Sequence, residues 1–216
     1  MNFIDAYSAD NLTFLLNGFW LTLKMALIAI ILSFILGGLV GTLRFAKIPV
    51  LSQILAMIVE IIRNLPLLLI IFFTFFALPE IGIKFKEVPA AIIALTIFEA
   101  AMISEIIRSG LTSIDKGQME AARSSGLSYF QALWHIILPQ ALRRMVPPTV
   151  SQFISLLKDT SLAVVISVPE LTHHAQIVYG QKSTYLVPIL LFVALMYFVV
   201  NYTLSVLSRR LEVNRT

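Results

Sequence analysis

The sequence predicts an all-α protein that crosses a lipid bilayer five times, and three observations carry that prediction. The 216 residues are 58% hydrophobic and only 13% charged, with a mean hydropathy of +0.90, about half the charged fraction from which soluble domains build their surfaces. Two stretches without Asp, Glu, Lys or Arg, Met25–Leu43 and Ser183–Ser208, reach the roughly 20 residues a helix needs to cross the hydrocarbon core. Three further apolar segments carry a few ionisable residues, and the connecting sequence is too short to cover their apolar surfaces with polar elements.

The first span is expected at about 15–43. It follows a start that carries Asp5 and Asp10 but no basic residue, unlike the basic start of a secretory signal peptide, so the segment should be retained as a helix. Lys24 should reach outward to the interface, and Gly37 and Gly41 form a GxxxG pair suited to close helix contact. The second span, about 51–78, contains Glu60, Arg63 and then Asn64-Leu65-Pro66; the proline marks a kink, because it lacks an N–H and leaves a carbonyl in need of a partner. The third, about 88–108, holds Glu99 and Glu105. The fourth, about 146–168, holds Lys158 and Asp159, and the fifth, about 184–208, is free of charge. No internal repeat is visible, and residues 1–216 read as one transmembrane domain.

The loops orient these spans. Ten basic residues fall on one side (Arg44, Lys47, Arg108, Lys116, Arg123, Arg143, Arg144, Arg209, Arg210 and Arg215) against three on the other (Lys84, Lys86 and Lys182). The positive-inside rule then puts the N-terminus outside and the C-terminus in the cytoplasm. The net charge of +4 is accordingly topological, and its dispersal without stacking aromatics excludes a nucleic-acid partner. The outer loops Pro79–Glu87 and Pro169–Thr184 are short, so nearly all the protein outside the bilayer is the cytoplasmic segment 109–148. Function should be sought there.

Within that segment, Asp115 with Gln118 three residues on suits a helix N-terminus, and Gln118–Ser125 should be helical up to Gly126, which tolerates the left-handed conformation that closes a helix. Ser128 and Gln131 form a capping box for a second helix, Tyr129–Leu138, expected to stop at Pro139. Tyr129, Phe130, Leu133 and Trp134 would be costly to leave in water, and they imply burial against a partner or against the ends of the spans.

These residues also carry a resemblance. The stretch EAARSSGLSYFQALWHIILP, Glu120–Pro139, matches the EAA-x3-G-x9-I-x-LP signature of permease subunits of ABC importers, with Glu120, Ala121, Ala122, Gly126, Ile136, Leu138 and Pro139 in register. EIIRNLP at Glu60–Pro66, SEIIRSGLTSIDKGQMEAA at Ser104–Ala122 and LKDTSL at Leu157–Leu162 resemble motifs of the polar amino acid branch. The resemblance implies the fold of a type I importer transmembrane domain and a coupling helix, formed by the EAA segment, that seats in a cleft of a separate ATPase dimer. It also implies a second permease copy or a homologous permease, an extracellular solute-binding protein, and an amino acid substrate, with glutamine or glutamate favoured and basic amino acids next. ATP and Mg would be bound by the ATPase: this chain has no G-x-x-x-x-G-K-[ST] and is expected to be a non-catalytic subunit without a cofactor of its own.

The charges within the spans divide into two kinds. Glu60 with Arg63, and Glu105 with Arg108, stand three residues apart, so each couple can neutralise itself on one helix face as a structural ion pair. Lys158 and Asp159 are neighbours and cannot share a face. With Thr160 and Ser161 they make four polar residues suited to a zwitterion, Asp159 accepting from an ammonium group and Lys158 or the hydroxyls donating to a carboxylate. The alternative is that Lys158 bonds to Glu105 or Glu99 and fixes packing. Glu99 is a further candidate for the substrate path, or a neutral carboxyl held at depth.

Other classes fit less well. A secondary amino acid transporter would show inverted repeats and ion-coupling sites in one chain, and a membrane-embedded enzyme would show a G-x-S-x-G, H-E-x-x-H or comparable set. Cysteine is absent, and His173-His174 lack further ligand spacing, so no metal site is expected. Asn11-Leu12-Thr13 fits the glycosylation pattern. Five helices do not easily enclose a solute path alone, which favours a two-fold or pseudo-two-fold pair.

Overall fold

The computed structural model describes residues 2–213, and every regular element among them is helical. Arg215, counted above with the cytoplasmic basic residues, lies outside the described residues. In chain order the α-helices are α1 (Phe3–Ala6), α2 (Ala9–Phe45), α3 (Leu51–Asn64), α4 (Leu67–Phe72), α5 (Glu87–Thr112), α6 (Lys116–Ser124), α7 (Tyr129–Ala132), α8 (Leu138–Asp159), α9 (Leu171–Gln181) and α10 (Leu186–Val213).

Among the described residues, four helical stretches are long and apolar enough to cross a membrane: Ala9–Phe45, Glu87–Thr112, Tyr129–Ile166 and Ser183–Leu207. A fifth is obtained if the broken pair Leu51–Asn64 and Leu67–Ile81 counts as one span. The break falls at Leu65-Pro66, where both residues take extended backbone angles. Asn64 fills part of the gap, its Nδ2 donating to the Glu60 carbonyl at 2.8 Å and to Glu60 Oε1 at 3.1 Å. Long rows of α2 and α10, including Leu27, Ile31, Ile35 and Leu39 and then Leu191, Leu195 and Phe198, are exposed, as helices whose surroundings are hydrocarbon must be.

The described chain separates into two compact units. One comprises residues 1–31, 66–96 and 153–216, and the other 32–65 and 97–152. In the first, α9 and α10 pack around Leu15, Leu171, Val178, Tyr185 and Ile189. The Thr22 hydroxyl accepts from Leu171 N–H at 3.2 Å, and the His174 ring stacks on Phe14 with centroids 3.9 Å apart. The stretch expected as the loop Pro169–Thr184 is therefore mostly helix, capped at its start by the Glu170 carboxylate, which accepts from His173 N–H at 2.8 Å. Its lack of charge-free length hid it, since a short helix buried by its neighbours needs no long apolar run.

In the second unit, Leu111, Ile114, Ile137, Ala141 and Met145 form the core. The GxxxG pair sits in a close contact: a Cβ on Gly37 would lie 2.7 Å from the Ala100 carbonyl oxygen, and one on Gly41 would lie 2.7 Å from that of Ser104. The helix expected to stop at Pro139 does not stop. A wide π turn over Leu133–Ile137 restarts the helix at Leu138, so Pro139 falls in the first turn of α8, where a missing N–H costs little. Helix α8 then runs through Pro147 and Pro148 to Asp159.

Candidate functional site

The helical pair α6–α7 is built from local signals. Asp115 caps α6, its Oδ1 accepting from Gly117 N–H at 2.6 Å. Gly126 takes φ +89° just past the end of α6, the left-handed region that side chains resist. The Ser128–Gln131 capping box is present with both bonds, at 2.8 and 3.3 Å. Met119 and Ala122 turn inward, Met119 onto the core of its unit. Glu120 and Ala121 are exposed on the opposite side. Of the signature's second half, Ile136 and Leu138 are half-buried against the same core while Pro139 is exposed. Tyr129, Phe130 and Trp134 stand open at 47%, 78% and 69% exposure, so the chain by itself leaves an exposed aromatic surface beside α6.

One carboxylate organises the charges of the same unit. Glu105 takes the Arg108 guanidinium across both oxygens, with Arg108 Nε at 3.2 Å, as the spacing on α5 predicts. It also receives Arg44 Nη2 from the end of α2 at 2.9 Å and Arg63 Nη1 from α3 at 3.7 Å. Arg63 is equally near Glu60, at 3.8 Å. The two couples are thus not separate: three arginines on three helices converge on one acid, and Arg44 Nη1 additionally donates to Ser104 Oγ at 3.0 Å. Arg44, which sequence reasoning used only to orient the chain, has the most buried side chain of the group, 7% exposed. Only its position three residues past a GxxxG pair that locks α2 to α5 hinted at this.

The polar run of the fourth span lies where the α-helix ends. Asp159 is the last residue of α8, and Thr160–Ile166 continue as a 3-10 helix. Asp159 is half-buried and Lys158 exposed. The Thr160 and Ser161 hydroxyls donate to the carbonyls of Leu157 and Lys158, both at 2.7 Å. Their protons are therefore committed to backbone, and of the expected donors to a carboxylate only Lys158 remains. Glu99 is fully buried in the middle of α5, and Gln152 Nε2 donates to its Oε2 at 3.3 Å.

Glu170, outside the spans, was not anticipated. It is fully buried, receives the Tyr197 hydroxyl at 3.3 Å and caps α9; burial pushes its carboxyl above the ordinary range against the pull of the backbone N–H groups that bind it. His174 Nδ1 lies 2.6 Å from the Phe14 carbonyl, a packing role. Among the described residues no three acids or histidines converge as a metal set would.

Comparison with known proteins identifies the family. Residues 29–213 match the binding-protein-dependent transport system inner membrane component family. A probable glutamine ABC transporter permease of Bacillus subtilis is 70% identical over all of both chains. A second probable glutamine permease of the same organism is 43% identical over 94% of this chain and 95% of that one. The crystal structure of an amino acid ABC transporter with histidines superposes with a TM-score of 0.92 at 28% identity, covering 99% of each chain. A match over most of the chain, joined to the multi-pass helical fold, makes this protein a member of the inner membrane component family of binding-protein-dependent transport systems.

Proposed function

We propose that residues 1–216 act as one permease domain of an ATP-driven importer, passing a polar amino acid from an extracellular binding protein across the cytoplasmic membrane. Glutamine is the first substrate to test, glutamate the next and basic amino acids after them. The observation that carries the reading is the capped α6–α7 pair with exposed Glu120, Ala121, Phe130 and Trp134, set in a chain whose 70% identical relative bears a glutamine permease name.

In this reading the α6–α7 pair is cytoplasmic, together with the basic ends of α2 and α5, and the N-terminus is outside. Glu120 and Ala121 seat against a separate ATPase, Ala122 packs inward beneath them, Gly126 sets the turn, and Ile136 and Leu138 anchor the pair to the rest of its unit, with the exposed Pro139 opening α8 beside them. The ATPase dimer binds ATP and Mg, and this chain transmits its closure without chemistry of its own. A second permease, identical or homologous, completes the path. Lys158 and Asp159 supply a cation and an anion where α8 gives way to a 3-10 helix, for a substrate that carries both charges; Glu99, in the other unit, is a separate candidate for the path. Thr160 and Ser161 support the break rather than bind through their protons. Glu60, Arg63, Glu105 and Arg108, with Arg44, hold the helices that the coupling pair must move.

The test is uptake of radiolabelled glutamine in cells lacking this chain and complemented with wild type or Asp159→Asn. Wild type should restore uptake. Losing a charge-assisted contact of about 1.5–3 kcal/mol should reduce the variant's uptake about ten- to a hundredfold at unchanged membrane abundance. Unchanged kinetics would remove Asp159 from the path.

A further inference from the structure

A cleft of about 540 Å³ opens in the second unit where α2 and α5 end and α6 begins. Four basic residues line it, Arg44, Lys47, Arg108 and Lys116, against one acid, Asp115. Asp115 caps α6, and Glu105, not itself part of the lining, holds Arg44 and Arg108; four basic residues against these two carboxylates leave the cleft an excess of positive charge. Lys47 sits in the turn after α2 with φ +52° and its side chain in the open. Arg44 is more than nine-tenths buried and lines the same cleft, and its Nε has no hydrogen-bond partner although Nη1 and Nη2 are engaged. The Arg44 guanidinium with the Lys47 and Lys116 ammonium groups at one cleft suits an oxyanion.

Beside the cleft runs a second cavity of about 330 Å³, lined almost wholly by apolar groups of α2, α5 and α8, among them Phe34, Gly38, Leu142 and Val146. Leu111 borders both cavities, so the basic site and the apolar groove adjoin. Groups that bind an oxyanion, next to a groove that accepts hydrocarbon, at the level where two spans leave the bilayer, match one class of molecule.

We propose that the cleft and the groove together hold an anionic glycerophospholipid. The phosphate head group lies against Lys47 and Arg44, and one acyl chain lies along the groove between α2 and α8. Free phosphate shares the head-group chemistry but has no use for the groove, and charge complementarity with a bilayer lipid accounts for both cavities at once. The cleft borders the α6–α7 pair, whose Lys116 and Tyr129 belong to its lining.

The test uses the full chain with whatever subunits co-purify in mild detergent. Native mass spectrometry is recorded after titration with phosphatidylglycerol, phosphatidylethanolamine or inorganic phosphate. One phosphatidylglycerol per chain should be retained at concentrations where phosphatidylethanolamine is not. Lys47→Glu should weaken retention about tenfold or more, by exchanging an attraction for a repulsion at the head group. Gly38→Leu should weaken it as well by filling the groove. A Cβ at Gly38 meets only Ile107 Cδ1, at 3.8 Å, so that variant tests the groove without disturbing the fold, which an unchanged thermal midpoint would verify. Equal retention of the two lipids, retention unaffected by both variants, or inorganic phosphate displacing the lipid as completely as excess phosphatidylglycerol does would each overturn the proposal.

Discussion

Replacing Glu105 by Gln keeps the shape of the side chain and removes the one negative charge on which Arg44, Arg63 and Arg108 converge. The cost is dominated by Arg44. Its side chain is 7% exposed, so its charge would be stranded away from water, and breaking a buried pair from one side costs about 3–5 kcal/mol. Arg63 and Arg108 are about a third exposed; water compensates them and they add about 0–1 kcal/mol each. At about 2–4 °C per kcal/mol for a chain of this size, the thermal midpoint of the detergent-solubilised protein, followed by tryptophan fluorescence, should fall by about 10 °C. Glu60→Gln, at a carboxylate whose side chain is 67% exposed, should shift it by less than about 2 °C. Adding Arg44→Met to Glu105→Gln removes the stranded charge, so the double variant should be more stable than the sum of the two single changes predicts. A fall below about 2 °C for Glu105→Gln, or strict additivity in the double variant, would refute the view that one acid binds the three helices together.

Two further perturbations test the packing of each unit. Gly37→Ala would place a Cβ 2.7 Å from the Ala100 carbonyl oxygen, whereas Gly38→Ala meets nothing nearer than 3.8 Å. The first should cost about 1–3 kcal/mol by overpacking and the second nearly nothing, read as midpoints of the purified variants. Glu170 binds its proton more tightly in the folded chain than in the unfolded one because burial disfavours its charge. Its contribution to stability is therefore complete below the ordinary value of 4.5 and is lost as pH rises through the higher folded value. The midpoint should decline across that rise, and Glu170→Gln should flatten the decline; an identical pH profile in the variant would contradict the assignment.

What could be read from the sequence was what depends on neighbours in the chain. Asp115, Gly126 and the Ser128–Gln131 box are short-range devices, and each does in the structure what its spacing requires. The apolar spans were equally legible, because bilayer thickness imposes a length on them. What escaped depends on partners distant in sequence. Arg44 and Glu105 are separated by 61 positions of chain and meet only because Gly37 and Gly41 let α2 lie against α5. Helix α9 is buried by α10 and the start of α2 rather than by any apolar run of its own. Proline opposes helix interiors and so predicts a stop at Pro139, yet the wide π turn just before it carries the helix on. Residue type makes Thr160 and Ser161 candidate donors to a ligand, but a hydroxyl three residues past a carbonyl at a helix end satisfies that carbonyl first.

The central claim is that this permease is driven through α6 by a separate ATPase, and Glu120→Ala tests it most directly. The chain and the variant would be affinity-purified in mild detergent from the same cells, and the bound subunits identified and assayed for substrate-stimulated ATP hydrolysis. The account predicts an ATP-binding cassette subunit in stoichiometric amount with the wild-type chain, and with the variant either its loss or hydrolysis at least about tenfold less responsive to substrate. A wild-type chain that comes down alone and still transports, or a variant with full transport-linked hydrolysis, would contradict it.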